Sequence, residues 1–265
     1  ANLFYPVDPT ETGASVGGMA AANASGARTL KYGPTRDWIA GLTIALVDGS
    51  WVHLRRDEIR CLDGYFKIVD SKGRSRNVEI GDVKWPSTKH TAGYPLKAGM
   101  DALDLFIGGD GTLGVITEID LILTEIPKAR LCLVLFAPTD DPVEIVTRLL
   151  KLRPAALEYM DENSLSLLRD ARNQKLGGIP EIPIEAKTAI YLEFEADSEE
   201  TIDGVYEELA PLLAEAEISE ELTWAGFDQS DIDAMKAFRH ALPERINSII
   251  AGRKRDIPRL TKVGT

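Results

Sequence analysis

A run of small residues between Val7 and Gly33 constrains this chain more than any other stretch. It reads VDPTETGASVGGMAAANASGARTLKYG, and glycine, alanine, serine and threonine dominate it. Such residues bury little apolar surface, but they let a ligand approach the backbone closely. Gly17-Gly18 followed by Met19 and three alanines predicts a tight turn that leads into a short helix. The N–H groups at such a helix start favour a phosphate or pyrophosphate, and a Gly/Ala-rich surface loop is the equal alternative.

Length and charge narrow the classes of function. The chain has 265 residues, which favours two domains. Its net charge of -12 argues against nucleic acid as a partner, because nucleic-acid phosphates need a basic face. No apolar run is long enough for a membrane span, and the opening residues do not resemble a signal peptide, so we expect neither.

Cysteine and histidine usage predicts no metal site. Cys61 and Cys132 are far apart in the sequence, which is typical of neither a disulfide framework nor a metal cluster and suits a reducing compartment. The three histidines stand alone, without the paired spacing that metal-binding motifs need.

A second glycine-rich stretch lies between Leu103 and Ile126. Within it, GDGTLG from Gly109 to Gly114 matches the GxGxxG dinucleotide pattern. A Rossmann site needs a helix after the glycines, whereas the residues that follow Gly114 are β-branched and partly alternating, which predicts a strand. This context argues against a Rossmann site, but a glycine loop between a helix and a strand still suits a cofactor held by the backbone.

The remaining sequence predicts a change of architecture near Pro127. Before it, the predicted elements are a hairpin over Trp38–Leu46 and Val47–Trp51, strands Tyr65–Val69 and Asn77–Ile80, and a short helix Met100–Leu105. After it, the predicted elements are strand Ala129–Phe136, a helix capped by Thr139 or Asp140, strand Ala155–Met160, helix Glu162–Arg172 capped by Asp161, strand Thr188–Phe194, and a helix capped by Asp197 or Ser198. This βαβ…βα order predicts a ferredoxin-like α+β domain.

The last forty residues predict an amphipathic helix with a basic end. Its apolar residues recur at steps of three and four, and they are Ile232, Met235, Phe238, Leu242, Ile246 and Ile249. Pro243 should kink this helix or start a new segment. The basic residues are Arg239, at the edge of the apolar face, and then Arg253, Lys254, Arg255, Arg259 and Lys262. They suit either a carboxylate substrate or a solvated helix end that favours the helix dipole.

Four stretches in this order resemble one family. They are VDPTETGASVGGMAAANASGARTLKYG, KHTAGYPL, LFIGGDGTLGVITE and the tail AFRHALPERIN…PRLTKVGT. Together they look like the FAD-linked oxidases of the vanillyl-alcohol oxidase superfamily. Within it they are most similar to the glycolate oxidase flavin subunit and to D-lactate or D-2-hydroxyglutarate dehydrogenases.

The resemblance implies an α+β fold in two domains. Residues 1–127 would be the second subdomain of a vanillyl-alcohol-oxidase-type FAD-binding domain, without the upstream Gly-rich loop. Residues 128–265 would be a truncated cap or substrate domain with a ferredoxin-like α+β fold. We therefore expect an internal piece of a longer enzyme, with the catalytic base in a histidine motif downstream of Thr265. On its own, such a piece would bind FAD weakly or lack it.

The resemblance also implies roles for individual residues. The expected FAD-binding residues are Pro9, Thr12, Ser15, Gly17, Gly18, Asn23, Gly26, Tyr32, Gly33, Asp110, Gly111, Gly114, Val115 and Ile116. Arg239 and Lys262 would bind the substrate carboxylate, and no metal is expected. Asp110 stands where the family usually has glutamate, so the charge is kept with a shorter reach.

The implied reaction is oxidation of a small 2-hydroxy acid of the glycolate or D-lactate type by hydride transfer to the flavin N5 atom. The electron acceptor would be a quinone, an iron–sulfur subunit or oxygen. We expect a cytoplasmic location, with peripheral attachment to the inner membrane as the alternative. Two other interpretations stay open, namely a related flavoenzyme with a different alcohol substrate and a non-catalytic binding module.

Overall fold

The computed structural model describes residues 2–9, 11, 13–81, 84, 94–174, 179–226 and 228–261. The chain divides into two compact units, which are Ala1–Ile126 and Pro127–Thr265. We call them the N-terminal unit and the C-terminal unit. Within the described ranges, no helix combines the length and apolar character needed to cross a membrane.

The N-terminal unit is built from short antiparallel sheets and two short helices. Its elements are β1 (Leu3–Phe4), α1 (Val16–Ala21), α2 (Thr29–Tyr32), β2 (Ile39–Ala45), β3 (Trp51–Arg55), β4 (Tyr65–Val69), β5 (Ser75–Glu79), β6 (Val115–Leu121) and β7 (Thr124–Glu125), with 3-10 turns at Thr35–Trp38 and Ala102–Leu105. The sheets have the orders β3-β2-β6, β4-β5 and β1-β7. Alternating side chains of β2 and β3 pack into the core, as the period-2 pattern predicts.

The strand that follows the second glycine-rich stretch is confirmed. β6 begins at Val115, directly after Gly114, and pairs antiparallel with β2. No helix opens at this point, so the structure excludes the Rossmann geometry that the GxGxxG pattern alone would suggest.

The first helix begins earlier than the glycine pair predicts. Gly17 and Gly18 lie inside α1 rather than in a turn before it, because Ser15 caps the helix. The Ser15 hydroxyl accepts a hydrogen bond from the Gly18 N–H at 3.0 Å. A serine cap contributes about 1 kcal/mol, enough to offset much of what a glycine costs inside a helix.

The C-terminal unit is one four-stranded sheet with helices on both of its faces. Its elements are β8 (Ala129–Ala137), α3 (Val143–Leu149), β9 (Ala156–Met160), α4 (Glu162–Asn173), β10 (Thr188–Ala196), α5 (Glu199–Glu215), β11 (Thr223–Gly226) and α6 (Gln229–Arg253), with 3-10 turns at Leu150–Leu152 and Glu220–Leu222. The strand order is β11-β8-β10-β9 and every neighbouring pair is antiparallel. This is the ferredoxin-like order, with α4 inserted between the second and third strands. Residues 188–194 of β10 are buried without interruption, which requires cover on both faces.

Two of the predicted caps are confirmed and one is wrong. Asp161 caps α4 and Ser198 caps α5 through their side chains. Neither Thr139 nor Asp140 caps α3, which begins after Pro142. The Asp141 carboxylate instead accepts from the Val143 N–H at 3.2 Å, a short-range turn that supplies the missing acceptor.

The last helix is continuous from Gln229 to Arg253 with Pro243 inside it, so the alternative that Pro243 starts a new segment is wrong, while a kink at Pro243 stays a prediction. The cost of one missing backbone hydrogen bond is offset by the burial of Ile232, Met235 and Phe238 in the first half of the helix. The predicted apolar stripe is only partly buried, since Leu242, Ile246 and Ile249 in the second half keep intermediate exposure.

Candidate functional site

The two glycine-rich stretches meet in the N-terminal unit. The Gly108 N–H donates to the Ala20 carbonyl at 3.0 Å, and the Asp110 N–H donates to the Ala21 carbonyl at 2.9 Å. These bonds attach the loop before β6 to the end of α1. The start of α1 is exposed. It lies beside the first residues of β6, since the nearest atom to a Cβ added at Gly17 is the Ile116 carbonyl oxygen.

Three glycines of this region differ in what requires them. A Cβ atom at Gly26 would collide with the Asp8 carbonyl, and one at Gly114 would lie 2.6 Å from Ile44 Cγ2. Both positions therefore need glycine for the fold itself. Among the described residues, a Cβ atom at Gly17 would meet only the Ile116 carbonyl oxygen at 4.0 Å, an ordinary contact. Packing against the described part of the chain therefore gives no reason for glycine at position 17, whereas close approach by a ligand would give one.

The exposed end of α1 has the chemistry of an anion site. The first N–H groups of a helix have no partner within the helix, and Ser15 takes up only that of Gly18. Ser15 and Gly18 are exposed and Gly17 is half-buried, so the backbone here is accessible. An FAD pyrophosphate fits such a donor set, which combines backbone N–H groups with small, accessible residues.

Several expected cofactor residues make structural contacts after the last turn of α1. Asn23 has a positive φ of 47°, and its side-chain oxygen accepts from the Arg36 N–H at 3.0 Å. Tyr32 packs edge-on against Phe4 and Trp38. Gly33 has φ of 72° at the end of α2.

The other expected residues are distributed around the same region. Pro9 adjoins the close contact between Gly26 and Asp8. Asp110 and Gly111 are exposed and both have positive φ. Val115 keeps 66% of its surface exposed at the start of β6. Two expected site residues, Thr12 and Lys262, lie outside the described residues.

A half-buried ionic cluster lies beside the loop, and the sequence did not predict it. The Arg36 guanidinium donates to the Asp104 carbonyl at 2.7 Å and to the Ile107 carbonyl, and it pairs with the Asp104 carboxylate at 3.1 Å. Arg56 pairs with the same carboxylate at 2.7 Å. Burial lowers the pKa of Arg36 and Asp104 opposes that shift. No spacing in the sequence singles Arg36 out, because the carbonyls that its guanidinium binds are 68 and 71 residues away.

Tyr94 is a second residue that the predicted set lacked. Its hydroxyl lies 2.5 Å from the Thr112 hydroxyl, and its ring edge would lie 3.4 Å from a Cβ at Gly109. Tyr94 belongs to the KHTAGYPL stretch, of which only Tyr94, Pro95 and Leu96 are among the described residues. That stretch and the second glycine-rich stretch are therefore in direct contact.

The C-terminal unit holds Arg239 in a buried polar cluster. Arg239 Nε donates to Glu158 Oε2 at 2.7 Å, and Arg239 Nη1 lies 2.8 Å from His240 Nε2. The Arg239 side chain is 6% exposed and that of Glu158 is 34% exposed. This arginine, expected to bind a substrate carboxylate, already has a carboxylate partner within its own unit.

Tyr191 and Glu193 extend this cluster across β10. The Tyr191 hydroxyl donates to Glu193 Oε1 at 2.5 Å. Burial and the negative charge of Glu193 raise the pKa of Tyr191, while Arg239 acts in the opposite direction. Tyr191 therefore stays protonated and serves as a hydrogen-bond donor.

Metal ligation finds no support in the described ranges. They contain no group of three or more histidine, cysteine, aspartate or glutamate side chains that could hold a metal ion. Cys61 and Cys132 are both buried and free.

Comparison with known proteins points to one family for both units. Residues 1–55 match the family model "FAD binding domain", and residues 126–260, more than half of the chain, match "FAD linked oxidases, C-terminal domain". The chain is 30% identical to D-lactate dehydrogenase of Anaerostipes hadrus over 93% of its length and 45% of the relative.

Two further relatives have the same level of identity. The chain is 30% identical to glycolate oxidase subunit GlcD of Bacillus subtilis, over 72% of this chain and 33% of that protein. It is also 30% identical to D-2-hydroxyglutarate dehydrogenase of Stutzerimonas stutzeri, over 75% and 35%. The chain thus spans less than half the length of these curated relatives.

A solved structure has a similar fold. Alkyldihydroxyacetonephosphate synthase superimposes with a TM-score of 0.54 at 17% identity, over 94% of this chain and 39% of that one. At this identity the likeness concerns the fold alone.

Proposed function

We propose, on the premise that this chain belongs to the FAD-linked oxidases and uses FAD as its cofactor, that it is part of an enzyme that oxidises a small 2-hydroxy acid. The protein would be an FAD-dependent dehydrogenase or oxidase of the glycolate or D-lactate type. The names of three relatives, which are D-lactate dehydrogenase, glycolate oxidase subunit GlcD and D-2-hydroxyglutarate dehydrogenase, support this class of substrate.

We assign residues 1–127 to the FAD-binding domain and residues 128–265 to the cap or substrate domain. The division of the chain at Ile126 and the residues matched by the two family models support this assignment.

The contact between the two glycine-rich stretches is the observation that carries the proposal. Hydrogen bonds from Gly108 and Asp110 hold the loop against the end of α1, and Gly17 leaves the other end of that helix open. We infer that the N–H groups at Val16 and Gly17, with the Ser15 hydroxyl, bind the negatively charged part of the cofactor. The backbone from Asp110 to Ile116 would bind its remaining length.

FAD, when bound, supplies the acceptor for the two electrons and the hydrogen that leave the alcohol carbon of the substrate. The contribution of this chain is to bind and orient. Arg239 would hold the substrate carboxylate through its planar, charged guanidinium, and Lys262 would add a second positive charge. Because Glu158 already pairs with Arg239, a substrate carboxylate must share or displace that contact.

The flavin part of the proposal is tested with the complete enzyme that contains this chain and with two glycine variants of it, because the isolated piece is expected to bind FAD weakly. Each purified protein is incubated with FAD, desalted and measured for the visible flavin bands. Gly17→Ala should lose most of the bound flavin because its methyl group occupies the space that the ligand needs. Gly252→Ala, where a Cβ meets nothing within 4 Å in another helix, is the matched control and should retain it. Equal retention by Gly17→Ala and the control would contradict this site.

The substrate part needs the complete enzyme that contains this chain. With an artificial electron acceptor, it should oxidise at least one of glycolate, D-lactate and D-2-hydroxyglutarate. Arg239→Lys should raise KM for that acid more than it lowers kcat, because one ammonium group replaces a two-point contact. Lack of turnover with all three acids would contradict the proposed substrate class.

A further inference from the structure

Arg36 links the two glycine-rich stretches by separate parts of one residue. Its backbone N–H donates to the Asn23 side chain, just after α1. Its guanidinium donates to the carbonyls of Asp104 and Ile107, just before Gly108. Since Gly108 in turn donates to Ala20 of α1, these contacts form a closed ring.

Gly108 lies close to both Asn23 and Arg36 in this ring. A Cβ at Gly108 would lie 3.1 Å from Asn23 Cβ and 3.4 Å from Arg36 Nη2. Gly108 also has φ of 80°, a conformation that disfavours other residues. A side chain at position 108 would therefore press on Asn23 and Arg36.

The ionic cluster keeps the guanidinium in place. The side chains of Arg36 and Asp104 are only 18% and 13% exposed. The Asp104 carboxylate accepts from both Arg36 and Arg56, and Arg56 also donates to the Arg36 carbonyl at 2.9 Å. A charged pair with little exposure and several hydrogen bonds holds one geometry firmly.

We propose that Arg36 is the positioning residue of the flavin site, because it sets the spacing between α1 and the loop from Gly108 to Gly114. The identity of the ligand, FAD, rests on the proposed function. The claim that Arg36 holds the loop against α1 does not depend on it. Arg36 acts through the Asn23 side chain on one side and through the Asp104 and Ile107 carbonyls on the other, so its role is to position the backbone rather than to touch the ligand.

Arg36→Lys and Arg56→Lys form a matched pair for the test. Both arginines are half-buried and share Asp104, but only Arg36 reaches the Ile107 carbonyl. A lysine can keep the ion pair with Asp104, but its single nitrogen cannot occupy both positions from which Arg36 Nη1 and Nη2 reach the Asp104 and Ile107 carbonyls. Each variant of the full chain is measured for melting temperature, for hydrogen exchange at the Gly108 and Asp110 amides, and for FAD affinity by titration.

We expect both variants to lower the melting temperature by similar amounts. Arg36→Lys should speed exchange at the two amides and weaken FAD binding, each about tenfold, as the loss of one hydrogen bond to a charged group predicts. Arg56→Lys should change the exchange rates and the FAD affinity by no more than about twofold. If Arg36→Lys does not fold, Gly108→Ala perturbs the same junction from the other side and should speed exchange at Asp110.

The two readouts separate the inference from the proposed function. If the unaltered chain binds no FAD on its own, as expected for a piece of a longer enzyme, the titration is made with the complete enzyme that contains this chain. Failure of that enzyme to bind FAD contradicts the flavin site, and the exchange rates then decide the role of Arg36 alone. If the unaltered chain binds FAD but Arg36→Lys behaves like Arg56→Lys in affinity and exchange, the positioning role is wrong.

Discussion

The region around α1 and the region around Arg239 differ in the chemical groups that would contact a ligand. At α1 the accessible groups are backbone atoms and very small side chains, and the charged residues Arg36 and Asp104 lie behind them. At Arg239 the functional group is itself a charge, 6% exposed and paired with Glu158. Ligand binding at α1 would depend on the path of the backbone and on the space that side chains leave. Ligand binding at Arg239 would depend on the charges of the buried groups around it.

This difference predicts opposite sensitivities to substitution. An added methyl group matters at α1 according to its position, whereas at Arg239 the removal of charge matters most. The following predictions test the contrast, beginning with the largest expected effect.

Gly26→Ala should destabilise the N-terminal unit by about 2–3 kcal/mol, because the new Cβ collides with the Asp8 carbonyl and the backbone must move. Gly17→Ala should leave stability unchanged or raise it by up to ~1 kcal/mol, since alanine is the better helix former. Urea unfolding followed by circular dichroism measures both. Equal destabilisation by the two substitutions would show that Gly17 is required by the fold rather than by a ligand.

Arg239→Met should destabilise the C-terminal unit by about 1–2 kcal/mol, because Glu158 loses its partner but is exposed enough to be rehydrated. Arg239→Lys should cost about half as much, as a lysine can still pair with one carboxylate. Arg253→Met, at the exposed end of the same helix, is the control and should change stability by less than about 0.5 kcal/mol. The comparison uses thermal unfolding, and an effect of Arg239→Met no larger than that of the control would rule out a charge-dependent site.

Lowering the pH should have a smaller effect on folding stability than these substitutions. The effect should arise at Asp70, which lies in neither of the two regions. Burial would raise the pKa of Asp70, but hydrogen bonds from Arg74 and Lys72 outweigh it and lower the pKa to about 2. A carboxylate with a lowered pKa stabilises the fold above its unfolded pKa of about 3.9, and that contribution disappears as the pH falls towards 2.

Asp70→Asn tests this, because it removes the titrating group at the turn of the β4–β5 hairpin. The variant should be less stable at pH 6, and its stability should depend less on pH between 4 and 2 than that of the unaltered chain. Hydrogen exchange near Asp70 should report the change, while exchange at Gly108 should stay the same. Faster hydrogen exchange of the variant both near Asp70 and at Gly108 would mean that the hairpin and the glycine-rich region open together.

Local sequence was sufficient for many elements of the fold. Tyr65–Val69 is a strand with the predicted bounds, and the strand after Gly114 follows from its β-branched, alternating residues. Asp161 caps its helix as predicted because a cap needs only the next three residues. Periodicity and capping are local properties, so the sequence carries them directly.

One local signal was missed, because Ser15 rather than the glycine pair sets the start of α1 at Val16. Other features depended on contacts between distant residues, since α6 continues through Pro243 with its first half buried against the sheet. The predicted site set contained the glycines of both stretches but lacked Arg36, whose guanidinium partners lie 68 and 71 residues away.

The sequence by itself determined the strand and helix patterns, the two glycine-rich stretches and the family they resemble. Only the tertiary structure decided which glycines the fold requires, that Arg36 joins the two stretches, and that Arg239 meets Glu158 across 81 residues of sequence. The physical reason is that side-chain spacing and capping act over a few residues. Steric collision and charge pairing depend on which distant atoms the folded chain brings within a few ångströms of each other.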